Sequence, residues 1–228
     1  MCGRFALSAT PAEVQALFGY EETPNFPPRG NISPTEPIAV ITQEGINRHF
    51  RLMRWGFLPG WLKDPEGFPV LFNARGETIA SKPTFKAASR HRRCLIPADA
   101  FYEWAHVNKK KIPYRISKPD HGLFAMAGVW EPYAHANGSE IDTTAIVTTD
   151  ANGLVSSLHN RMPVMIPESQ FAIWLEAEKY PLDEAMKLVR PAPDDLLIME
   201  PFDPRTGPIK HVEAPPEKPK KPEQQSLF

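Results

Sequence analysis

The run Ile38-Ala39-Val40-Ile41-Thr42 decides the fold class, because short apolar segments of this kind recur along the chain. Further strand-like runs cover residues 50–57, 70–74, 93–96, 112–117, 123–130, 143–149 and 196–199. Turns separate these runs and long helices do not alternate with them, which argues against a doubly wound parallel sheet. The pattern predicts an α+β fold dominated by antiparallel sheet, with peripheral helices.

Helix signals are few. Thr10-Pro11-Ala12-Glu13 combines an N-cap residue, a proline in the first turn and the reciprocal glutamate of a capping box, so a helix is predicted to start there and to end at Gly19. Two later helices are predicted at 168–178 and 182–189. No internal repeat is found.

Composition limits the class of protein. The chain has 228 residues, of which 42% are hydrophobic, enough for one substantial core. Two cysteines exclude a disulfide framework and a multi-cysteine metal site. No stretch approaches the roughly 18 apolar residues of a membrane span, so a cytoplasmic location is expected. The formal charge of −1 means that nucleic-acid binding would need a local basic patch.

The end of the chain differs from the rest in composition. From residue 213 the sequence is rich in proline, lysine and glutamate and lacks apolar periodicity. We therefore predict a folded domain at 1–212 and a tail at 213–228. The tail carries Gln224-Gln225-Ser226-Leu227-Phe228, in which Gln224, Leu227 and Phe228 resemble the bacterial sliding-clamp-binding peptide.

The start of the chain, Met1-Cys2-Gly3-Arg4-Phe5, suggests covalent chemistry. Loss of Met1 would expose a residue that carries both an α-amine and a thiol, with ordinary pKa values of about 7.7 to 8.0 and about 8.5. Such a 1,2-aminothiol attacks an aldehyde through nitrogen and then closes a thiazolidine ring through sulfur. The sequence therefore indicates an aldehyde-trapping nucleophile at Cys2.

Three pairs of residues each place a polar or reactive group two positions before an arginine: Cys2 and Arg4, Asn73 and Arg75, His159 and Arg161. In an extended chain both members of such a pair point to one face. Because the arginine fork suits phosphate, the pairs are interpreted as holding a nucleic-acid backbone while their partners meet the sugar.

Aromatic and basic residues add further predictions. Glu103 lies between Tyr102 and Trp104, where an apolar setting would raise its pKa and suit it to proton transfer. Trp55, Trp61 and Trp104 are candidates to stack on bases, of which we expect at most two to do so. The segment 78–98 contains no acid and forms the best local basic patch, through Lys82, Lys86, Arg90, Arg92 and Arg93.

Taken in order, five motifs resemble those of the SRAP family, the SOS-response-associated peptidases or abasic-site processing proteins. They are Met1-Cys2-Gly3-Arg4-Phe5, Met53-Arg54-Trp55-Gly56-Phe57 with Pro59-Gly60-Trp61, Phe72-Asn73-Ala74-Arg75-Gly76-Glu77-Thr78, Ala98-Asp99-Ala100-Phe101-Tyr102-Glu103-Trp104 and His159-Asn160-Arg161-Met162-Pro163. The resemblance extends from Cys2 to about residue 211. It implies a barrel-like antiparallel fold with flanking helices.

The resemblance also implies binding to single-stranded DNA and a covalent thiazolidine crosslink to an abasic site. Cys2 would be the nucleophile after self-removal of Met1, Asn73 would hydrogen-bond the adduct, Glu103 would assist proton transfer, and His159 would act in sugar ring opening and in reversal. The phosphate contacts that the resemblance implies are Arg4, Arg75 and Arg161. Trp55, Trp104, Asn31 and Pro34 are further predicted DNA contacts. No metal or cofactor is implied, and a monomer is expected.

Two other classes stay open on the sequence alone. Glutamine amidotransferases of the N-terminal-nucleophile class also begin Met-Cys-Gly, and in them the cysteine attacks an amide. A non-covalent single-stranded DNA-binding module would use the same arginines without the thiol. Ammonia release from glutamine distinguishes the first alternative, and indifference to loss of the Cys2 thiol distinguishes the second.

Overall fold

Strands supply most of the regular secondary structure in the computed structural model, which describes residues 2–107 and 110–209. Short apolar runs bounded by turn residues become strands wherever they can pair with a neighbour. The strands are β1 (Phe5–Leu7), β2 (Arg29–Ile32), β3 (Pro37–Glu44), β4 (Asn47–Trp55), β5 (Asn73–Arg75), β6 (Arg93–Ala98), β7 (Ala100–Val107), β8 (Lys110–Ser117), β9 (Phe124–Ala134), β10 (Glu140–Asp150), β11 (Arg161–Pro163), β12 (Met165–Ile166), β13 (Ile198–Asp203) and β14 (Gly207–Pro208).

Five of these strands form a closed barrel. The order β10-β4-β3-β6-β9 closes because β9 also pairs with β10, with Ala145 opposite Val129. All of these pairings are antiparallel except β4 with β10, which is parallel. β6 is buried along its whole length, because one of its faces turns into the barrel core and the other is covered by packed elements that include β1.

A second sheet packs against the barrel as a half-barrel, in the order β14-β13-β8-β7-β1-β2. Phe5 on β1 meets Trp55 on β4 edge to face, with ring centroids 5.1 Å apart, so the two sheets share one core. This arrangement brings the start of the chain, through β1, directly beside β7. The predicted fold class, α+β with mostly antiparallel barrel-like sheet, is confirmed.

The helices are short and peripheral: α1 (Pro11–Phe18), α2 (Gly76–Ile79), α3 (Pro83–His91), α4 (Phe171–Leu175) and α5 (Leu182–Met186). The first helix begins as predicted, because Thr10 and Glu13 form a reciprocal capping box, and Gly19 ends it in a left-handed conformation. The two late helices are shorter than the predicted 168–178 and 182–189. The segment Glu168–Gln170 is a 3₁₀ turn rather than part of α4.

The basic segment 78–98 contains α3, which the sequence analysis did not predict, and its predicted patch needs correction. Arg93 is 2% exposed, and its guanidinium donates to the carbonyl oxygens of Trp174, Ser89, Arg90 and Tyr180. It therefore caps helix ends inside the protein and is not available at the surface. Arg92 is paired with Glu131 at 2.6 Å. The patch reduces to Lys82, Lys86 and Arg90.

Within the described ranges, no helix is long and apolar enough to cross a membrane. The predicted tail at 213–228 and its Gln224, Leu227 and Phe228 lie outside the described residues.

Candidate active site

Cys2 precedes β1 of the half-barrel and lies against β5, which pairs with β10 of the barrel. Its side chain is fully buried, its Sγ lies 3.9 Å from the carbonyl oxygen of Arg4, and its own carbonyl oxygen accepts a hydrogen bond of 3.0 Å from Asn73 Nδ2. Burial raises the pKa of the Cys2 thiol far above its usual range, and the negative charge of Glu103 acts in the same direction. The thiol is therefore protonated in this state and needs a base to become a nucleophile.

Asn73 is held by β5, which pairs in parallel with β10. Alternation along this short strand turns Ala74 into the core and leaves Asn73 half-buried on the other face. Its Oδ1 is buried without a hydrogen-bond partner among residues 2–107 and 110–209. A buried acceptor of this kind is suited to take a hydrogen bond from a substrate hydroxyl or amine.

Glu103 comes from β7, one strand away from Cys2 in the half-barrel. The residue is only 5% exposed. Burial raises the pKa of its carboxyl, and the positive charge of the chain's N-terminal amino group opposes that shift. The raised pKa agrees with the apolar setting predicted from its aromatic neighbours, and a carboxyl of this kind is suited to general acid–base catalysis.

His159 follows a 3₁₀ turn, Val155–Ser157, and its backbone N–H donates to the carbonyl oxygen of Val155 at 3.0 Å. Its ring nitrogen Nδ1 accepts a hydrogen bond of 2.9 Å from the backbone N–H of Arg161. His159 and Glu103 line the same cavity of about 370 Å³, together with Trp104, His106, Lys111 and Leu158. Four separate segments thus bring Cys2, Asn73, Glu103 and His159 into one site.

A second cavity, of about 360 Å³, lies beside the first. Trp104 and Lys111 line both cavities, so the two adjoin, and we call them together the site trough. Its far part is lined by Arg4, Asn31, Pro113, Asp203, Pro204 and Arg205. Arg4 Nη1 donates to Asn31 Oδ1 at 3.0 Å, which aims the guanidinium along this wall. An aromatic face among cations suits a nucleic-acid strand.

Arg75 and Pro34 lie outside the linings of the two cavities. Arg75 is exposed at the end of β5, immediately before α2. Pro34 is part of the turn Ser33 to Glu36, in which Thr35 has a left-handed backbone with φ of 76° and donates its N–H to the Trp55 carbonyl oxygen at 2.7 Å. The turn is thus held rigidly with Pro34 half-buried at its bend.

Trp55 was predicted to stack on bases, and this is wrong. The side chain is 0% exposed, contacts Phe5 and Phe72 edge to face, and donates its indole N–H to the Phe72 carbonyl oxygen at 2.8 Å. It belongs to the core between the two sheets, because its strand alternation points it inward. Trp61 is 61% exposed and Trp104 is half-buried, so these two indoles remain accessible.

Arg161 was predicted to contact phosphate, but in the structure its guanidinium is buried and bound by other residues of the protein. It is 8% exposed, and its two terminal nitrogens already bind Glu77, Asp150 and the Thr148 carbonyl oxygen at 2.7 to 2.8 Å. His159 lies outside β11, which begins at Arg161, so the extended-chain argument for this pair does not hold. Phosphate contact by Arg161 stays a prediction that these internal partners do not favour.

Two features of the site escaped the sequence analysis. Lys111 faces the trough because β8 pairs in register with β7, His106 opposite Lys111, which only the hairpin reveals. Glu77 was quoted within a motif but given no role.

In the described part of the chain, no group of three or more His, Cys, Asp or Glu side chains could hold a metal ion.

Solved structures share this fold. A protein from Bacteroides thetaiotaomicron superposes with a TM-score of 0.81 at 25% identity, covering 89% of this chain and 92% of the other. One from Bordetella bronchiseptica superposes with a TM-score of 0.77 at 26% identity, covering 89% and 100%.

The family model described as "SOS response associated peptidase (SRAP)" matches residues 1–207, and the chain belongs to this family. The abasic site processing protein YoqW of Bacillus subtilis is 35% identical over 195 residues, 84% of this chain and 87% of that protein. The abasic site processing protein HMCES of Gallus gallus is 30% identical, covering 84% and 70%, and YedK of Escherichia coli, with the same description, is 30% identical, covering 78% and 81%.

Proposed function

We propose that this protein processes abasic sites in single-stranded DNA by forming a covalent thiazolidine crosslink through Cys2, after removal of Met1. The observation that carries the proposal is a chain of neighbouring groups: Asn73 donates to the Cys2 carbonyl oxygen, the Glu103 charge acts on the Cys2 thiol, and Glu103 and His159 line one cavity of the site trough. Relatives named abasic site processing proteins support the substrate class.

The proposed reaction begins with hydrolysis of the Met1–Cys2 peptide bond, which consumes one water and releases methionine. The freed α-amine of Cys2 attacks the aldehyde of the ring-opened abasic sugar, and loss of one water gives an imine. The Cys2 sulfur then adds to the imine carbon, and the nitrogen takes up the proton from the thiol. The product is a saturated thiazolidine, which lacks the electron-poor imine that would promote strand cleavage by β-elimination.

Each polar residue of the site is assigned to one or more steps of the proposed reaction. Glu103, whose pKa is raised by burial, removes the proton that leaves nitrogen during addition and returns it when water departs. The raised pKa of the Cys2 thiol makes such a base necessary, because burial keeps sulfur protonated. His159 opens the sugar ring and acts in reversal as acid and base. Asn73 Oδ1, which has no hydrogen-bond partner among the described residues, accepts a hydrogen bond from the adduct.

The DNA strand is proposed to follow the site trough. Arg4 and Lys111 supply positive charge along its walls, whereas Arg205 is paired with Asp203 at 3.0 Å. Trp104 offers an indole face where the two cavities adjoin. Arginine and lysine contacts to phosphate hold a strand without sequence preference. Exposed Arg75 and the half-buried Pro34 turn would extend the contact beyond the trough, and Asn31 would act by orienting Arg4.

Replacing Trp104 with alanine is expected to weaken binding of single-stranded DNA by about tenfold, since one stacked base contributes about 1 to 3 kcal/mol. The measurement is fluorescence anisotropy in a Cys2→Ser background, so that no crosslink contributes. Trp130→Ala is the matched control, because Trp130 is also half-buried but contacts Arg51 away from the trough. Equal affinities for the two variants would exclude Trp104 from the DNA path.

The tail is proposed to bind the bacterial sliding clamp through Gln224, Leu227 and Phe228. Deleting residues 224–228 is expected to reduce clamp binding at least tenfold, because seating even one of the two apolar side chains contributes about 1.5 to 3 kcal/mol. A pulldown with immobilised clamp measures this, and Ser226→Ala, between the motif positions, should bind like the parent. Unchanged binding after the deletion would end the proposal.

The function itself is tested by mixing the protein with single-stranded DNA that carries one abasic site and separating the products on a denaturing gel. A slower protein–DNA band that needs both the abasic site and the Cys2 thiol is expected. Ammonia release from glutamine, without such a band, would point instead to amide hydrolysis.

A further inference from the structure

Glu77 and Arg161 form a bidentate ion pair at the edge of the site. Arg161 Nη1 and Nη2 lie 2.8 Å from Glu77 Oε1 and Oε2, respectively, the fork-to-fork geometry that fixes a guanidinium in plane as well as in position. The Thr148 carbonyl oxygen accepts from Nη2 at 2.7 Å, and Asp150 accepts from Nη1 at 2.8 Å. The first residue of β11 is thus tied to β10 and to α2.

The backbone of the same arginine holds His159. A backbone N–H can only donate, so the 2.9 Å bond from Arg161 N to His159 Nδ1 requires that Nδ1 be unprotonated. The neutral ring therefore carries its proton on Nε2. Any shift of the Arg161 backbone would move this donor and release the constraint on the ring.

Glu77 is placed to govern this backbone because of its position in the chain. It lies in α2, two residues after Arg75 at the end of β5, the strand that also carries Asn73. Gly76 allows the close approach, because a Cβ there would meet Val189 Cγ1 at 2.2 Å and the Thr148 carbonyl oxygen at 3.2 Å. The ion pair therefore fixes the position of the segment that carries His159 relative to the segment that carries Asn73.

We propose that Glu77 is a positioning residue that acts through Arg161 to fix the orientation and tautomer of His159. The inference rests on the proposed crosslinking function for its kinetic test. Exposure supports a positional role over a stabilising one: the Glu77 side chain is 47% exposed, so its pairing contributes little to the free energy of unfolding. Arg161 also lowers the pKa of Glu77, which keeps the carboxylate charged and able to hold both nitrogens.

The first test does not depend on activity. In the folded Glu77→Gln protein, the ¹⁵N chemical shifts of the His159 imidazole should move from a pure Nε2–H tautomer towards a mixture. Asp150→Asn is the matched control, because Asp150 accepts a single bond from the same guanidinium and its side chain is 80% exposed. A pure Nε2–H tautomer in Glu77→Gln would overturn the proposal.

The second test separates rate from binding. Glu77→Gln should lower the crosslinking rate at saturating abasic-site DNA about tenfold, well within the roughly 100-fold that a 1 Å misplacement can cost, while DNA affinity stays within about twofold. Combining Glu77→Gln with His159→Ala should be no slower than His159→Ala alone. Additive losses, or loss of affinity instead of rate, would show that Glu77 does not act through His159.

Failure of the proposed function and failure of the positioning role of Glu77 give different experimental results. If the wild-type protein forms no crosslink, the proposed function is wrong, and the tautomer measurement still decides the role of Glu77. If the wild type crosslinks and the double variant shows additive losses, the positioning role alone is wrong.

Discussion

Replacing Cys2 by serine is expected to abolish the denaturation-resistant adduct with abasic-site DNA. The serine amine can still form an imine, but its hydroxyl closes no stable ring comparable to a thiazolidine. Because removal of a catalytic nucleophile commonly costs more than about 1000-fold in rate, no adduct band should be detectable on a denaturing gel. Binding of intact single-stranded DNA should be retained, since Cys2 is fully buried and Arg4 and Trp104 line the trough.

The matched control is Cys94→Ala. Cys94 is equally buried, but its Sγ contacts Thr144 inside the barrel, away from Asn73 and Glu103. This variant should crosslink at a rate close to that of the wild type below its unfolding temperature. A Cys2→Ser protein that still forms the adduct, or a Cys94→Ala protein that loses it while folded, would contradict the assignment of the nucleophile.

Glu103→Gln is expected to lower the crosslinking rate at neutral pH by about 100-fold, the lower end of what a general acid–base group contributes. Glutamine keeps the size and much of the polarity of the side chain but cannot take the proton from the attacking amine. Single-turnover crosslinking at saturating DNA measures the effect. The rate of Glu103→Gln should also be less dependent on pH than that of the wild type.

The same substitution is expected to raise thermal stability at neutral pH. Burial raises the folded-state pKa of Glu103 above its unfolded value of about 4.3. A carboxyl with a raised pKa stabilises the fold only below its unfolded pKa, and this contribution is lost as the pH rises through the folded value. The Tm difference between Glu103→Gln and wild type should therefore be larger at pH 7 than at pH 4.

Glu131→Gln is the control for loss of a largely buried carboxylate. Glu131 pairs with Arg92 at 2.6 Å and lines neither cavity of the site trough. Its removal should leave the crosslinking rate within about twofold of wild type and should not raise Tm, because breaking an ion pair leaves Arg92 without its partner. Similar losses of rate in both variants would mean that Glu103 acts through the fold.

Local signals in the sequence were sufficient for the fold class. Short β-branched runs predicted the five barrel strands, because each run must bury one or both faces in a sheet, whereas β1, β2 and β7 of the half-barrel were not predicted. The capping box at Thr10 is a purely local interaction and was predicted correctly. The closure of the barrel by a parallel β4–β10 pair could not be predicted, since it joins segments about 90 residues apart without a local signature.

The errors share one physical cause, which is that a side chain's surroundings depend on distant segments. Trp55 and Arg93 look like surface ligands in the sequence, but both are buried because the half-barrel and the late helices cover them. Arg161 has the form of a phosphate ligand and is bound internally by Glu77, 84 residues away along the chain. By contrast, Asn73 and Arg75 share one strand, where alternation is reliable.

The most direct test of the central claim is the intact mass of the adduct formed with single-stranded DNA that carries one abasic site. The expected mass of the adduct is that of the chain without Met1, plus the DNA, minus one water. Iodoacetamide under denaturing conditions should alkylate Cys94 only, because the Cys2 sulfur is part of the thiazolidine. An adduct that retains Met1, or one in which Cys2 is alkylated, would contradict it.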